Sequence, residues 1–178
     1  AARSAMSDTR QRITALAPRL VLVQGQHPLV AQWCAATGVE FHAFGTDSLA
    51  SWREEVAWLG WRFGSEEAAA ALLQEVGAGL AAVASVSATR GTRVLLVVAR
   101  RAEEASGILA AGPRTFLSEL LEAAGGANVL AAALQPYVDV NEETLLRLDP
   151  EAVLEFWPEG APAEPPLATW RRSFPRLT

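Results

Sequence analysis

Two histidines and a nearby glutamate offer the side-chain types of a metal site. His27 lies in a loop after an apolar run, and His42 alternates with Glu40 and Phe44 along a second apolar run. Imidazole nitrogens and carboxylates are zinc ligands, so a metal site built from His27, His42 and Glu40 is one interpretation. Their spacing matches no closed ligand set, and a structural histidine is the simpler interpretation for His42. We therefore predict no metal site.

Catalytic residues are not predicted. Nucleophilic catalysis by serine would need a histidine in reach, and the sequence contains no Gly-x-Ser-x-Gly turn. All 15 basic residues are arginines, which excludes a P-loop lysine and a Schiff-base lysine. Gly77 to Ala82 has the glycine spacing of a dinucleotide-binding loop, but it lies in the middle of a predicted helix. We predict neither an enzyme nor a bound cofactor.

The composition is that of a globular protein, with 51% hydrophobic and 20% charged residues among 178. The net charge is -5 and both signs are interspersed, so we predict no nucleic-acid partner. The single Cys34 cannot form an intrachain disulfide and is predicted to be a buried structural thiol. No run reaches the ~18 uninterrupted apolar residues of a membrane-spanning helix, and we predict no membrane span.

Strands and helices alternate from Leu20 to Phe44. Leu20 to Val23 is a continuous apolar run, which is typical of a buried parallel strand. Leu29 to Thr37 predicts a helix that Gly38 closes, and Val39 to Phe44 predicts a second strand. Together these elements form a βαβ unit.

Two helices are predicted to follow this unit. Apolar residues from Leu49 to Leu59 recur at helical spacing, and Gly60 is predicted to end the first helix. The second opens near Ser65, extends to about Ala88, and carries the apolar seam Leu72, Val76, Leu80 and Val83. Gly77 and Gly79 inside it predict a close approach to a neighbouring backbone.

The second helix is long enough to join two lobes, since about 24 residues span roughly 36 Å. We therefore predict an N-terminal lobe over residues 1–64, a linking helix over 65–89 and a C-terminal lobe over 90–178.

The second half repeats the alternation. Val94 to Ala99 predicts a buried strand, Glu103 to Pro113 a loop, and Thr115 the cap of a helix that ends at Gly125 and Gly126. Asn141 caps a short helix that ends at Asp149 and Pro150, and Ala152 to Trp157 predicts the next strand. A last amphipathic segment contains Trp170.

Open α/β sheets bind ligands at the carboxyl ends of their strands, here the loops that begin at Gln24, Phe44 and Arg100. Arg100 and Arg101 could bind an anionic group, although a solvent-exposed pair of arginines at the surface is the simpler interpretation. Tyr137 is predicted to lie in a loop, where its ring could stack on a ligand or cover an edge of the core.

Several segments together resemble the binding proteins that serve ABC importers of iron siderophores, haem and cobalamin. Their order and spacing match that family across roughly Ile13 to Trp157. The most specific segment combines a capped helix with a double glycine. The segments are Ile13 to Leu22, the long helix from Ser65, Gly112 to Leu121 with Gly125 to Val129, and Val140 to Leu146 running into Asp149 and Pro150.

The resemblance implies an α/β fold of two Rossmann-like lobes with parallel sheets, joined by one long backbone helix, with a metal chelate held between the lobes. The residues that we expect to contact the ligand are Gln24, His27, Phe44, Arg100 and Tyr137. Arg100 would pair with an anionic group, Tyr137 and Phe44 would stack, and Gln24 and His27 would supply hydrogen bonds. It also implies an importer permease as partner and a periplasmic or extracytoplasmic location, with lipid anchoring through a segment outside this sequence as an option.

The sequence departs from the family at both ends and in its charges. The family usually has further strands before Ile13 and after the final helix, so we expect a truncated form. Arg19 stands where these proteins commonly have an acidic residue, and Arg171 and Arg172 lie where carboxylates for importer docking would be sought. An alternative interpretation is a repurposed, non-transport interaction module of the same fold that a partner chain completes.

Overall fold

The computed structural model describes residues 12–45, 47–86, 91–101, 106–156 and 166–173. The chain divides into two compact units, Ala1–Thr46 and Asp47–Thr178. Both units combine helices with β-strands, which is the α/β class expected from the sequence.

The first unit contains the predicted βαβ arrangement. Helix α1 covers residues 12–16, and strand β1 (Leu20–Gln24), helix α2 (Pro28–Thr37) and strand β2 (Glu40–Phe44) follow. The two strands are parallel, in register from Leu20 opposite Glu40 to Gln24 opposite Phe44. Gly38 ends α2 in the left-handed conformation, at φ 73°, and its N–H donates to the Cys34 carbonyl. Because such a φ strains a residue with a side chain, glycine is the residue that fits there.

Strand β1 is less buried than the sequence predicts. Leu22 is 39% exposed, and the described sheet of this unit has only β1 and β2. A strand in a two-stranded sheet has fewer neighbours to cover its side chains than an interior strand, which is what a continuous apolar run indicates.

Two packed helices begin the second unit. Helix α3 (Leu49–Phe63) starts at a capping box formed by Ser48 and Ser51, and helix α4 (Glu66–Val86) follows. The prediction that Gly60 ends α3 is wrong, because the helix continues to Phe63 and ends at Gly64, with φ 64°. A Cβ at Gly60 would lie 2.5 Å from the Cβ of Ala69, so α3 and α4 cross closely there. This packing groups α3 with the second unit, and the division after residue 64 stays a prediction.

Helix α4 is a continuous helix of 21 residues, roughly 30 Å long. The predicted close approach at Gly77 and Gly79 is wrong among the described residues, since an added Cβ would meet nothing within 4 Å at either position. None of its residues is buried, and two of the four seam residues, Leu72 and Val83, are 43% and 46% exposed. The predicted extension to Ala88 lies outside the described residues.

The length and apolar composition of α4 also suffice for a membrane span. It is the one such helix within the described ranges. Length and composition do not distinguish a span from the connecting helix of an α/β protein, so the expected absence of a span stays a prediction.

A five-stranded mixed sheet forms the centre of the second unit. Strand β3 pairs in parallel with β5 and β7, whereas β4 is antiparallel to both β3 and β6. The remaining elements are β3 (Arg93–Ala99), β4 (Ile108–Ala111), α5 (Phe116–Ala123), β5 (Ala127–Asn128), β6 (Tyr137–Val140), α6 (Glu142–Leu148), β7 (Ala152–Glu155) and α7 (Pro166–Ser173).

Two strands occupy segments that the sequence analysis predicts as loops. Strand β4 lies within the predicted loop from Glu103 to Pro113, and Tyr137 begins β6 instead of lying in a loop. Each strand has four residues, and short strands depend on pairing with partners distant in sequence more than on local pattern. The predicted strand end at Trp157 lies outside the described residues.

The core occupies both faces of this sheet, because alternate residues of β3 point to opposite sides. Leu95 and Val97 pack on one face with Ile108, Leu145 and Trp170. On the other face the buried residues are Val94, Leu96, Ala111 and Leu121.

A buried amide joins the sheet to α5. The Asn128 side chain donates to the Ala111 carbonyl at 3.0 Å and to Ser118 Oγ at 3.1 Å, and it accepts from the Leu130 N–H at 2.9 Å. These bonds satisfy the side chain of a residue that is 6% exposed. They explain the Asn that follows the double glycine, one of the segments that carry the family resemblance.

Candidate functional site

Three of the predicted ligand residues lie at one end of the first unit. Gln24 and Phe44 are the last residues of the parallel strands β1 and β2 and stand opposite each other in register. The Gly25 N–H donates to the Phe44 carbonyl at 2.9 Å, which holds the two strand ends together. His27 occupies the N-cap position of α2, directly after this edge.

The His27 side chain is fixed by a backbone acceptor. Its Nε2 lies 3.0 Å from the Gln24 carbonyl oxygen. Because a carbonyl oxygen only accepts, this hydrogen bond requires the proton on Nε2. The imidazole is exposed and makes no side-chain capping bond to α2. The ring is therefore held in place at the carboxyl edge of the sheet, where it can meet a ligand.

Phe44 belongs to an aromatic pair. Its ring packs edge-on against His42, with ring centres 4.9 Å apart and planes inclined by 71°. His42 is thus accounted for as a packing residue, as the sequence favours. Within the described ranges no three His, Cys, Asp or Glu side chains group closely enough to hold a metal ion.

Arg100 follows β3, but its side chain does not point into solvent. Its Nε lies 2.6 Å from Glu155 Oε1, and the two side chains are 1% and 8% exposed. Arg100 Nη1 also donates to the Arg101 carbonyl at 2.9 Å. The arginine therefore lies at the predicted strand end, although its charge is compensated inside the protein. Arg101 is exposed.

Tyr137 packs into the core of the second unit. It lies half-buried against the buried group formed by Val94, Leu96, Ala111 and Leu121. Trp170, whose ring lies near Arg100, packs on the other face of the sheet. Arg100 and Tyr137 therefore do not form one cluster, whereas Gln24, His27 and Phe44 do.

Glu155 and Trp170 are polar partners that sequence reasoning missed. Trp170 Nε1 donates to Glu155 Oε2 at 2.7 Å. The available signal was an acidic residue in the otherwise apolar strand Ala152–Glu155. A carboxylate there must find a partner, because a buried charge without one is strongly unfavourable.

The single cysteine is a buried thiol. Cys34 lies in α2 with no exposed surface, and burial raises the pKa of its thiol. A protonated, buried thiol is a poor nucleophile and metal ligand.

The chain is similar to known binding proteins. A family model described as periplasmic binding protein matches residues 4–164. No curated protein sequence matches the chain.

Solved structures share its fold. The ABC-type Fe3+-hydroxamate transport system from Saccharomonospora viridis has a TM-score of 0.70 at 22% identity, covering 84% of this chain and 53% of that chain. IsdE from S. aureus, complexed with haem, has a TM-score of 0.68 at 21% identity, covering 93% and 63%. The vitamin B12 binding protein BtuF of Vibrio cholerae has a TM-score of 0.65 at 18% identity, covering 82% of this chain and 56% of that chain.

The TM-scores of these three structures show a common fold, the periplasmic binding protein fold with its long connecting helix. Helix α4 is the long helix of this chain. The chain spans 53% to 63% of the lengths of these three structures. The family match extends over most of the sequence, from residue 4 to residue 164. The chain therefore belongs to the periplasmic binding protein family.

Proposed function

We propose that this chain is part of the substrate-binding component of an ABC importer and captures a metal chelate without making or breaking bonds. The family match over residues 4–164 is the observation that carries the proposal. The structurally similar proteins are one in complex with haem, one of an Fe3+-hydroxamate transport system and one that binds vitamin B12. A ferric siderophore, haem or a corrinoid is accordingly the ligand class to test.

The proposed partner is an importer permease, and the proposed location is periplasmic or extracytoplasmic. Both follow from the family and belong to the whole importer, of which this chain would be the ligand-capturing part. No chemistry is assigned to the chain, because capture needs only shape, hydrogen bonds and stacking.

The proposed contacts of the first unit are Gln24, His27 and Phe44. Support comes from their shared position at the carboxyl ends of two parallel strands, the usual ligand edge of open α/β sheets. The Phe44 ring offers a stacking surface for a planar chelate, and His27 and Gln24 offer hydrogen bonds. In the second unit the proposed contacts are Arg100 and Tyr137. Arg100 is paired there with Glu155.

The test is a fluorescence titration of the purified chain, which has six tryptophans. Haem, cobalamin and ferric siderophores are added in turn, with free tryptophan as the control for inner-filter quenching. Saturable quenching at about micromolar affinity, corrected for that control, supports capture and identifies the chelate class. A folded chain that binds none of them would contradict the proposal and favour the alternative, an interaction module completed by a partner chain.

A further inference from the structure

A buried ion pair occupies the carboxyl ends of two neighbouring strands in the second unit. Strands β3 and β7 run in parallel with Val97 opposite Glu155, so Arg100 and Glu155 come to the same edge. Arg100 Nε and Glu155 Oε1 are 2.6 Å apart, and the side chains are 1% and 8% exposed. This edge is where an open α/β sheet meets its ligand.

Both carboxylate oxygens of Glu155 are bound within the protein. Oε1 faces Arg100, and Oε2 accepts from Trp170 Nε1 at 2.7 Å. The guanidinium carbon of Arg100 lies 5.8 Å from the centre of the Trp170 ring. Helix α7, which carries Trp170, thus helps to fix the carboxylate in place. Arg100 and Glu155 compensate each other's charge, and both side chains are almost fully buried.

We propose that Glu155 determines the charge selectivity of this ligand edge: by neutralising Arg100, it makes the chain select uncharged ferric chelates over multiply anionic ones. The inference rests on the proposed function and narrows its substrate class.

The physical reason is that the Glu155 carboxylate would lose its pairing with Arg100. An anionic chelate that pairs with Arg100 competes with Glu155 for the same guanidinium and so weakens the pairing of a nearly buried carboxylate. Breaking a buried pair on one side is strongly unfavourable, because the remaining charge loses its partner and does not regain water. The exposed Arg101 offers an anion little compensation, since ion pairs in water are weak.

Two substitutions shift the charge of this edge in opposite directions. Glu155→Gln removes the negative charge and keeps an amide oxygen that can accept from Trp170 Nε1. Arg100→Gln removes the positive charge and leaves Glu155 as a net negative group. The matched control is Glu54→Gln, which removes one negative charge, as Glu155→Gln does, but at an exposed position of α3.

The measured quantity is the ratio of dissociation constants for an uncharged ferric trihydroxamate and a multiply anionic ferric tricatecholate. The wild-type chain and Glu54→Gln prefer the trihydroxamate. Glu155→Gln shifts the ratio by about tenfold towards the tricatecholate, and Arg100→Gln shifts it the other way. The double variant, which again has no net charge at this edge, returns the ratio towards that of the wild type. Ratios that stay at the wild-type value in folded variants overturn the inference, and either single variant alone decides it.

A second measurement needs no chelate. Thermal unfolding is followed in sodium sulfate and in sodium chloride at equal ionic strength. In Glu155→Gln the uncompensated Arg100 binds sulfate, so this variant gains more stability from sulfate than the wild-type chain, Glu54→Gln or the double variant. If sulfate stabilises all four equally, the inference fails even when chelates bind. If only Glu155→Gln responds while the wild-type chain binds no chelate, the proposed function fails and the neutralisation of Arg100 stands.

Discussion

Gly60 of helix α3 lies directly against Ala69 of helix α4, so closely that a Cβ on residue 60 would be 2.5 Å from the Ala69 Cβ. The glycine is fully helical and lies inside α3. Its function is therefore close packing of two helices, and the turn that its residue type suggests is made by Gly64 instead.

Gly60→Ala should destabilise the second unit. The added methyl group overlaps Ala69 and approaches the backbone of Glu66 and Ser65 at 3.4 Å, so the two helices must separate. Overpacking of this kind costs about 1–3 kcal/mol of the free energy of unfolding. Urea unfolding followed by circular dichroism measures the loss, and a Gly60→Ala variant as stable as the wild type would contradict the close crossing.

Gly77→Ala should have the opposite effect and serves as the matched comparison. Gly77 lies in the interior of α4, and a Cβ there meets nothing within 4 Å. Alanine restricts the unfolded chain and favours the helix, so the free energy of unfolding rises by about 0.5–1 kcal/mol. The same urea experiment measures it. A loss of stability would mean that the helix packs closely against another surface at this position.

Signals local in sequence predicted much of the fold correctly. The Gly38 stop of α2, the Thr115 cap and the Asn141 cap all appear where the sequence analysis expects them. Each depends on one residue and its immediate neighbours, so local pattern suffices.

Strands and side-chain pairs that depend on partners distant in sequence could not be predicted from local pattern. Strand β4 lies between β3 and β6, and its four apolar residues, from Ile108 to Ala111, give no clear period. For the site, the strand-end rule brought Gln24, His27 and Phe44 together, but it gave no sign that Arg100 would pair with Glu155, 55 residues later in the chain. Side-chain pairing of this kind depends on which strands become neighbours, and nothing in the spacing records it.

Cys34 should react slowly with thiol reagents in the folded chain. It has no exposed surface, and burial raises the pKa of its thiol, so both access and the thiolate fraction are reduced. Labelling by an aromatic disulfide at mildly alkaline pH should be at least about tenfold faster in denaturant than in buffer. Equal rates would show that α2 opens freely.

The raised pKa of Cys34 also fixes the sign of its effect on stability. The folded state holds the thiol proton more tightly than the unfolded state does. The contribution of the protonated thiol to the free energy of unfolding is therefore fully present below the pKa of the unfolded thiol. It is lost as the pH rises through the higher pKa of the folded state. Cys34→Ala provides the control for the other titrating groups.

His27→Ala and Phe44→Ala should each weaken chelate binding, and His27→Ala should do so with little effect on stability, because the imidazole is exposed. His27 is exposed, and its side chain donates a hydrogen bond to the Gln24 carbonyl at the strand end; Phe44 lies at the same edge. Loss of one stacking or hydrogen-bonding group weakens binding about five- to tenfold. Thr37→Ala, at the opposite end of α2, is the control. If all three variants bound a confirmed chelate equally, the first-unit site would be assigned wrongly.

Tyr137 requires variants that separate packing from stacking, because its ring contacts the core group of Val94, Leu96, Ala111 and Leu121. Tyr137→Ala should lower the free energy of unfolding by about 2 kcal/mol, since it leaves space beside buried side chains. Tyr137→Phe keeps the ring, and Tyr137→Leu keeps most of the apolar volume without an aromatic surface. If the ring stacks on a chelate as proposed, the Phe variant binds like the wild type and the Leu variant binds about threefold more weakly. Unchanged affinity in a folded Leu variant would assign Tyr137 to the core alone and restrict the proposed stacking to Phe44.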